Sequence, residues 1–278
     1  MFIEIQQVSK SFVSRTGRVS RAVDDFSLNI ERGEFLCLLG PSGCGKTTIL
    51  TMLAGFDHPT TGDIFLEGKR VEDPSRDRGV VFQGEDSLYP WLTAQENVEF
   101  GLRMQKMPTA QRHTKALEML KMVGLFGHHE KYPHELSGGM KQRIQIARAL
   151  VNEPKMLLMD EPFGALDAQT RNIMQRELRK IWQATQTTIV FITHDVDEAI
   201  LLGAKVAVMT AGPGGTLREV IPVNATPDWE RSDPNYMVCY DKVHKMIREE
   251  VAKSVNLSEQ GRGGEKQAGG TGVHALDD

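Results

Sequence analysis

The chain has 278 residues, 40% hydrophobic and 25% charged, which excludes wholesale disorder and coiled coil as global descriptions. Its 33 Lys and Arg against 37 Asp and Glu leave a net charge of −4, which argues against a strongly basic nucleic-acid binder. Cys37, Cys44 and Cys239 are too few and too scattered for a disulfide framework or a zinc site.

The opening residues Met1-Phe2-Ile3-Glu4-Ile5 carry no basic segment followed by an apolar stretch, so no secretion signal is expected. Ile3, Ile5 and Phe12 lie in an N-terminal strand region, and residues 24–30 offer a second strand. Phe35–Leu39 is a continuous apolar run ending at Gly40, the pattern of a strand buried on both faces. It is far short of the ~20 apolar residues of a membrane crossing, so none is expected. A helix is predicted over Lys46–Ala54, closed by Gly55, and residues 57–62 read as a turn. Residues 64–66 and 80–82 read as further strands.

Between residues 93 and 151 the character becomes helical. Ala116, Leu117, Leu120 and Val123 recur at helical spacing, with Pro108-Thr109 as a start signal. From Met156 the strand–helix alternation returns, with a polar helix over 169–184 and a strand over 187–193. A helical insert inside a strand–helix core is the economical reading, and no internal repeat is visible. Past Pro227, Tyr236, Tyr240, Val243, Ile247 and Val251 predict an amphipathic helix against the core. The glycine-rich stretch from 257 buries too little to offset its ordering entropy, so it is expected to be disordered. The expected division is an α/β core over 1–86 and 155–223, a helical insert over 87–154, a helical extension over 224–256 and a tail over 257–278.

Gly40-Pro41-Ser42-Gly43-Cys44-Gly45-Lys46-Thr47 matches G-x-x-x-x-G-K-[ST], between a predicted buried strand and a predicted helix. Gly43 and Gly45 let consecutive backbone N–H groups wrap a phosphate, and the following helix adds the positive end of its dipole. Lys46 would reach the β- and γ-phosphates, and the Thr47 hydroxyl would ligate magnesium. Met156-Leu157-Leu158-Met159 then places Asp160 and Glu161 at a strand's carboxyl end, where open α/β sheets bind ligands. Asp160 is placed to hold Mg2+ and Glu161 to polarise the attacking water. A lone histidine at a strand end is usually structural, but His194 closes a third strand on the same edge and so reads as a sensor of the γ-phosphate. Gln83, after Val80-Val81-Phe82, ends another strand there, and its amide can touch both the attacking water and magnesium.

Leu136-Ser137-Gly138-Gly139-Met140-Lys141-Gln142-Arg143 opens a second helix prepared for an anion, with Ser137 as its N-cap. Two phosphate-receiving helix ends share one lysine loop, so the second end fits a nucleotide held by another copy of the chain. This segment resembles the signature motif of ATP-binding cassette ATPases. The lysine loop, Gln83, Asp160-Glu161, Gly164-Ala165-Leu166-Asp167 and His194 fall in that family's order, a resemblance covering about residues 1–223. It implies an α/β P-loop NTPase core with an antiparallel β subdomain and an inserted α-helical signature subdomain. It also implies a head-to-tail pair with two ATP molecules sandwiched between subunits. Residues 40–48, including Thr48, would hold ATP in one subunit. Ser137, Gly138, Gly139 and Gln142 of the other would cap it, Asp167 would communicate across the interface, and Phe12 would stack on adenine.

Leu88-Tyr89-Pro90-Trp91-Leu92-Thr93 begins the insert and reads either as local core or as a partner contact. Together with Pro162-Phe163-Gly164-Ala165-Leu166-Asp167, Thr193-His194-Asp195-Val196-Asp197-Glu198-Ala199 and the Ala211-Gly212-Pro213-Gly214-Gly215 turn, it resembles importer ATPases of the nitrate, sulfonate and taurine group. That likeness implies transmembrane permease partners touching Tyr89, Pro90 and Trp91, and an extracytoplasmic solute-binding protein further off. It also implies a peripheral place on the cytoplasmic face of the inner membrane. An exporter or lipid-trafficking ATPase is the alternative. A cassette acting on nucleic acid is remote, because the insert is too short for a long coiled coil and the net charge is negative.

Overall fold

The computed structural model describes residues 1–82, 84, 87–223, 231 and 233–267, with side chains through 254. Ten strands among these form two sheets. β1 (Ile3–Val13), β2 (Val19–Ile30), β4 (Thr61–Leu66) and β5 (Lys69–Arg70) make an antiparallel sheet in the order β2-β1-β4-β5. The second sheet runs β10 (Leu217–Pro222), β9 (Lys205–Met209), β3 (Phe35–Leu39), β8 (Thr188–Thr193), β7 (Met156–Asp160), β6 (Arg78–Val81). Its pairings are parallel except for the antiparallel edge strand β10.

The inner strands β3, β7, β8 and β9 are apolar over most of their length because both of their faces are covered. Period-two alternation divides their side chains between two cores. Phe35, Cys37 and Leu39 of β3, with Leu157, Met159, Ile189 and Phe191, face a core shared with the helices of the insert. Leu36 and Leu38, with Leu158, Val190 and Ile192, face the other way, against Ile49, Leu50 and Leu53 of α1 (Lys46–Ala54) and against Ile3, Ile5 and Phe26 of the antiparallel sheet. α1 is therefore fixed beside the strand that delivers the glycine loop.

The helical insert leaves the sheet after β6 and returns at β7, two strands that pair in parallel. It carries α2 (Ala94–Met104), α3 (Thr109–Met122) and α4 (Gly138–Leu150). Thr93 caps α2 through a capping box with Glu96. Val98 and Leu102 of α2, Ala116 and Leu120 of α3, and Ile144 and Ala147 of α4 join the same core as Phe35 and Phe191. The insert is thus a crossover packed continuously on the sheet.

α5 (Ala168–Thr185) and α6 (Val196–Leu202) complete that face, and α7 (Pro234–Gln267) covers it further. Tyr236 and Val243 are fully buried and Tyr240 and Ile247 pack against the core, as the stripe predicts. Val251 departs from it and is 43% exposed. α7 runs to Gln267, into the first part of the tail expected over 257–278. Residues 268–278 lie outside the described residues, as do 224–230 at the start of the expected extension.

Candidate nucleotide site

Parallel pairing carries three strand ends to one edge of the sheet. Leu39 lies opposite Thr193, and Asp160 opposite Ile192. The glycine loop follows Leu39, Glu161 follows Asp160 and His194 follows Thr193, so the three groups separated in sequence converge.

The loop is shaped by its glycines and by its own lysine. Gly45, the residue before α1, has φ +102°, and a methyl there would lie 2.6 Å from the Ala22 carbonyl oxygen and 2.7 Å from Val23 Cγ2. No other residue fits that backbone. Lys46 is 6% exposed, and its Nζ donates to the carbonyl oxygens of Gly40 at 2.8 Å and Pro41 at 3.0 Å. The ammonium is folded into its own loop. Ser42, Gly43 and Thr47 are exposed and Thr48 is half-buried, while Cys44 is buried beneath the loop, where desolvation raises its thiol pKa.

At the end of β7 the Asp160 carboxylate is hydrogen-bonded to the Thr47 hydroxyl. Burial raises its pKa above the ordinary carboxylate range, and the neighbouring Glu161 charge adds to this against the Thr47 bond and Lys46. A partly buried carboxylate beside a hydroxyl is a hard-oxygen pair suited to Mg2+. Among the described residues no cluster of three or more His, Cys, Asp or Glu side chains could enclose a metal unaided.

Glu161 sits at φ +41°, held by its N–H to the Ile192 carbonyl at 3.0 Å. Its Oε2 lies 3.0 Å from His194 Nδ1, so the water-polarising candidate and the phosphate-sensing candidate meet directly. Beneath them is an arrangement that the sequence reading missed. Thr193 Oγ1 donates to Glu198, which is 5% exposed, and accepts from the Asp195 N–H at 3.0 Å, pinning both flanks of His194. Burial pushes the Glu198 carboxyl pKa up, against hydrogen bonds from Thr193 and Gln175. The H-D-x-x-E spacing was the available signal, but an acid two residues into a polar helix start reads as solvated.

Ser137 is exposed with extended backbone at the N-cap of α4, and its hydroxyl makes no cap hydrogen bond. Ser137 thus holds the predicted N-cap position, with its hydroxyl left over for another acceptor. Gly139 is buried, with Thr170 Cγ2 only 2.7 Å from where a methyl would stand. Gln142, one turn into α4, shares the inward face with Gln145 and Ile146 and is 3% exposed with Nε2 unpartnered. Asp167 is the N-cap of α5, accepting from the Gln169 and Thr170 N–H groups at 3.0 Å each, a role the sequence reading did not assign. The Thr170 hydroxyl first, then the Thr170 and Gln169 N–H groups, lower its carboxyl pKa. Gln83 lies outside the described residues. The adjoining backbone is tied to α4 by Gln145 Nε2 to the Gly84 carbonyl at 2.9 Å and Arg148 Nη1 to the Ser87 carbonyl at 2.8 Å. Phe12, in register with Ser20, is 47% exposed and carries the Lys10 ammonium 5.2 Å from its ring centroid.

Residues 23–164 match the ABC transporter family profile. The chain belongs to the ABC transporter family. Among similar proteins, the nitrate import ATP-binding protein of Synechocystis sp. is 44% identical over 89% of this chain and 96% of its own. The taurine import ATP-binding protein of Escherichia coli K12 is 44% identical over 90% of this chain and 96% of its own. A dimeric ATP-binding cassette solved in a post-hydrolysis state with ADP and Pi superposes with a TM-score of 0.68. It shows 31% identity and covers 81% of this chain and 100% of its own. This ABC protein has the ABC ATPase fold, and like its family it binds and hydrolyses ATP.

The aromatic segment is divided between the two readings open to it. The Tyr89 ring packs into the insert, 4.5 Å from Phe100 between centroids, with the Arg148 guanidinium 5.5 Å away. Pro90 is exposed, and Trp91 is 69% exposed. Arg148 also lines a cavity of about 390 Å³ formed with Arg78, Val80, Met104 and Asn152.

Proposed function

We propose that this ATPase is the hydrolytic subunit of an importer, working as a head-to-tail pair on a membrane permease for a small anion such as nitrate, a sulfonate or taurine. The observation that carries the reading is the gathering of Lys46, Thr47, Asp160, Glu161 and His194 at one sheet edge, with a separate anion-ready helix end at Ser137. The backbone of 40–48 and Lys46 bind the phosphates, and Phe12 offers a face to adenine. Thr47 and Asp160, with Gln83, would hold Mg2+, which when bound neutralises charge between the β- and γ-phosphates. Glu161 accepts the proton of the attacking water. His194, anchored by Thr193 and Glu198, keeps the Glu161 carboxylate aimed and touches the γ-phosphate. Ser137, Gly138 and Gly139 of the second copy close the site with hydroxyl and N–H donors at a helix N-terminus. Asp167, at the start of α5, carries the pairing across the interface.

Trp91 and Pro90 are exposed, and Trp91 packs on Tyr89, whose ring meets Arg148 of the cavity wall, so this segment supplies the aromatic anchor for a short permease helix. Among the described residues no helix is long and apolar enough to cross a membrane, so contact with the bilayer system would run through such a partner. The peripheral cytoplasmic-face location and the extracytoplasmic solute-binding protein follow from the importer reading. In vesicles holding the whole complex, binding protein loaded with the anion should stimulate hydrolysis. Trp91→Glu should abolish that stimulation while the isolated subunit hydrolyses as before. Full stimulation by the variant would move the permease contact elsewhere.

A further inference from the structure

α7 reaches the turn that follows β9 through a buried carboxylate. Glu250 is 1% exposed, and its Oε2 accepts the Ala211 backbone N–H at 2.9 Å. Its Oε1 accepts from Arg218 Nη1 of β10 at 2.7 Å and from Lys253 Nζ at 2.7 Å. Arg218 Nη1 also donates to the Met246 carbonyl at 3.1 Å and so ties α7 to the edge strand. Burial opposes ionisation of Glu250, but Lys253, the Ala211 N–H and Arg218 outweigh it and hold its pKa below the usual range.

Ala211 begins the turn over 211–215, and that turn lies directly on the phosphate loop. A methyl on Gly212 would stand 2.4 Å from the Gly43 carbonyl oxygen and 2.9 Å from Cys44 Cα. One on Gly215 would stand 2.2 Å from the Cys44 carbonyl oxygen. These are contacts of backbone on backbone, with no flexible side chain to yield. The far end of the turn is fastened by the Asp24 N–H to the Gly215 carbonyl at 3.2 Å and by Thr216 Oγ1 to the Asp25 carbonyl at 3.0 Å. At the near end Thr210 and Thr216 close the base of the turn, with the Thr210 N–H to the Thr216 carbonyl and the Thr216 N–H to Thr210 Oγ1 at 2.9 Å each, and Glu250 fastens that end to α7.

We propose that Glu250 is a positioning residue for ATP binding: through the 211–215 turn it holds the Gly43–Cys44 backbone in the shape that receives phosphate, so the C-terminal helix sets nucleotide affinity. A nest of N–H groups binds an anion well only when its backbone is held in place beforehand. Releasing the turn would lower affinity, whereas bound ATP re-forms the nest and leaves saturated turnover intact. This rests on residues 40–48 being the phosphate loop.

The test is titration of the full chain with a fluorescent ATP analogue, together with KM and kcat for ATP. Glu250→Ala should raise Kd and KM about tenfold, the worth of a hydrogen bond to a charged group, with kcat within about twofold of the parent. Glu250→Gln keeps an acceptor for Ala211 and should recover most of the affinity. Tyr236→Phe loosens α7 at Asp197 instead, and should leave Kd unchanged. If Glu250→Ala does not fold, Gly212→Ala, which presses a methyl on Gly43, should show the same rise in Kd. Unchanged affinity in the folded Glu250 and Gly212 variants, or an equal rise in Tyr236→Phe, would overturn the inference. Lys46→Ala run alongside separates the two claims. If it binds as tightly as the parent, the loop assignment falls and this inference with it. If it binds weakly while the Glu250 and Gly212 variants do not, only the inference falls.

Discussion

Glu161→Gln is expected to reduce ATP turnover by roughly 10²- to 10⁴-fold, the contribution of a positioned general base, while ATP affinity stays within a few-fold. The amide occupies the same volume and can still hydrogen-bond His194 at the 3.0 Å now spanned by the carboxylate. It cannot take a proton from water. Backbone strain will not confuse the result, because the φ of +41° at this position is no harder for Gln than for Glu. Single-turnover release of phosphate, measured beside equilibrium nucleotide binding, separates the two effects. Retained turnover would remove Glu161 from its assigned role and shift attention to Asp160, whose carboxyl is engaged by Thr47.

Lys46→Ala acts on the earlier step. Its ammonium is the buried cation at the loop, and replacing it should weaken ATP binding on the order of 10- to 100-fold, as expected for lost charge-assisted hydrogen bonds. AMP, which lacks the β- and γ-phosphates, should be bound equally by parent and variant. The variant also frees the Gly40 and Pro41 carbonyls that Lys46 now satisfies, so thermal stability should fall slightly in the absence of nucleotide. Isothermal titration with ATP and AMP distinguishes a phosphate role from a purely structural one. Equal loss for both nucleotides would mean that Lys46 serves the loop's shape alone.

The elements that deliver these groups were legible because each states itself locally. Phe35–Leu39 and Met156–Met159 are unbroken apolar runs, and such runs become strands buried on both faces, with the glycine loop and the two acids left at their ends. Parallel pairing then dictates that those ends share an edge. What escaped the sequence was every role that depends on a distant partner. Gln142 shares a segment with Ser137 and Gly139, but helical geometry turns it inward. Glu198 and Glu250 look like surface acids, and only tertiary packing buries them against Thr193 and Ala211. Asp167 gives an adequate capping signal, yet its neighbours in the Gly164-Ala165-Leu166-Asp167 loop drew a functional reading first. Glycine content speaks to the cost of ordering a segment, not to where the preceding helix α7 ends.

The pairing of two copies around each nucleotide is the claim on which the rest depends, and complementation tests it most directly. Ser137→Arg blocks the capping helix end and Lys46→Ala disables the phosphate loop, so each variant alone should hydrolyse almost no ATP. An equal mixture, after subunit exchange, should regain about a quarter of parental turnover, since half the pairs are mixed and each mixed pair holds one intact composite site. Recovery of that size is the predicted result. A mixture no more active than its components, with both variants folded and pairing, would contradict a site shared between subunits.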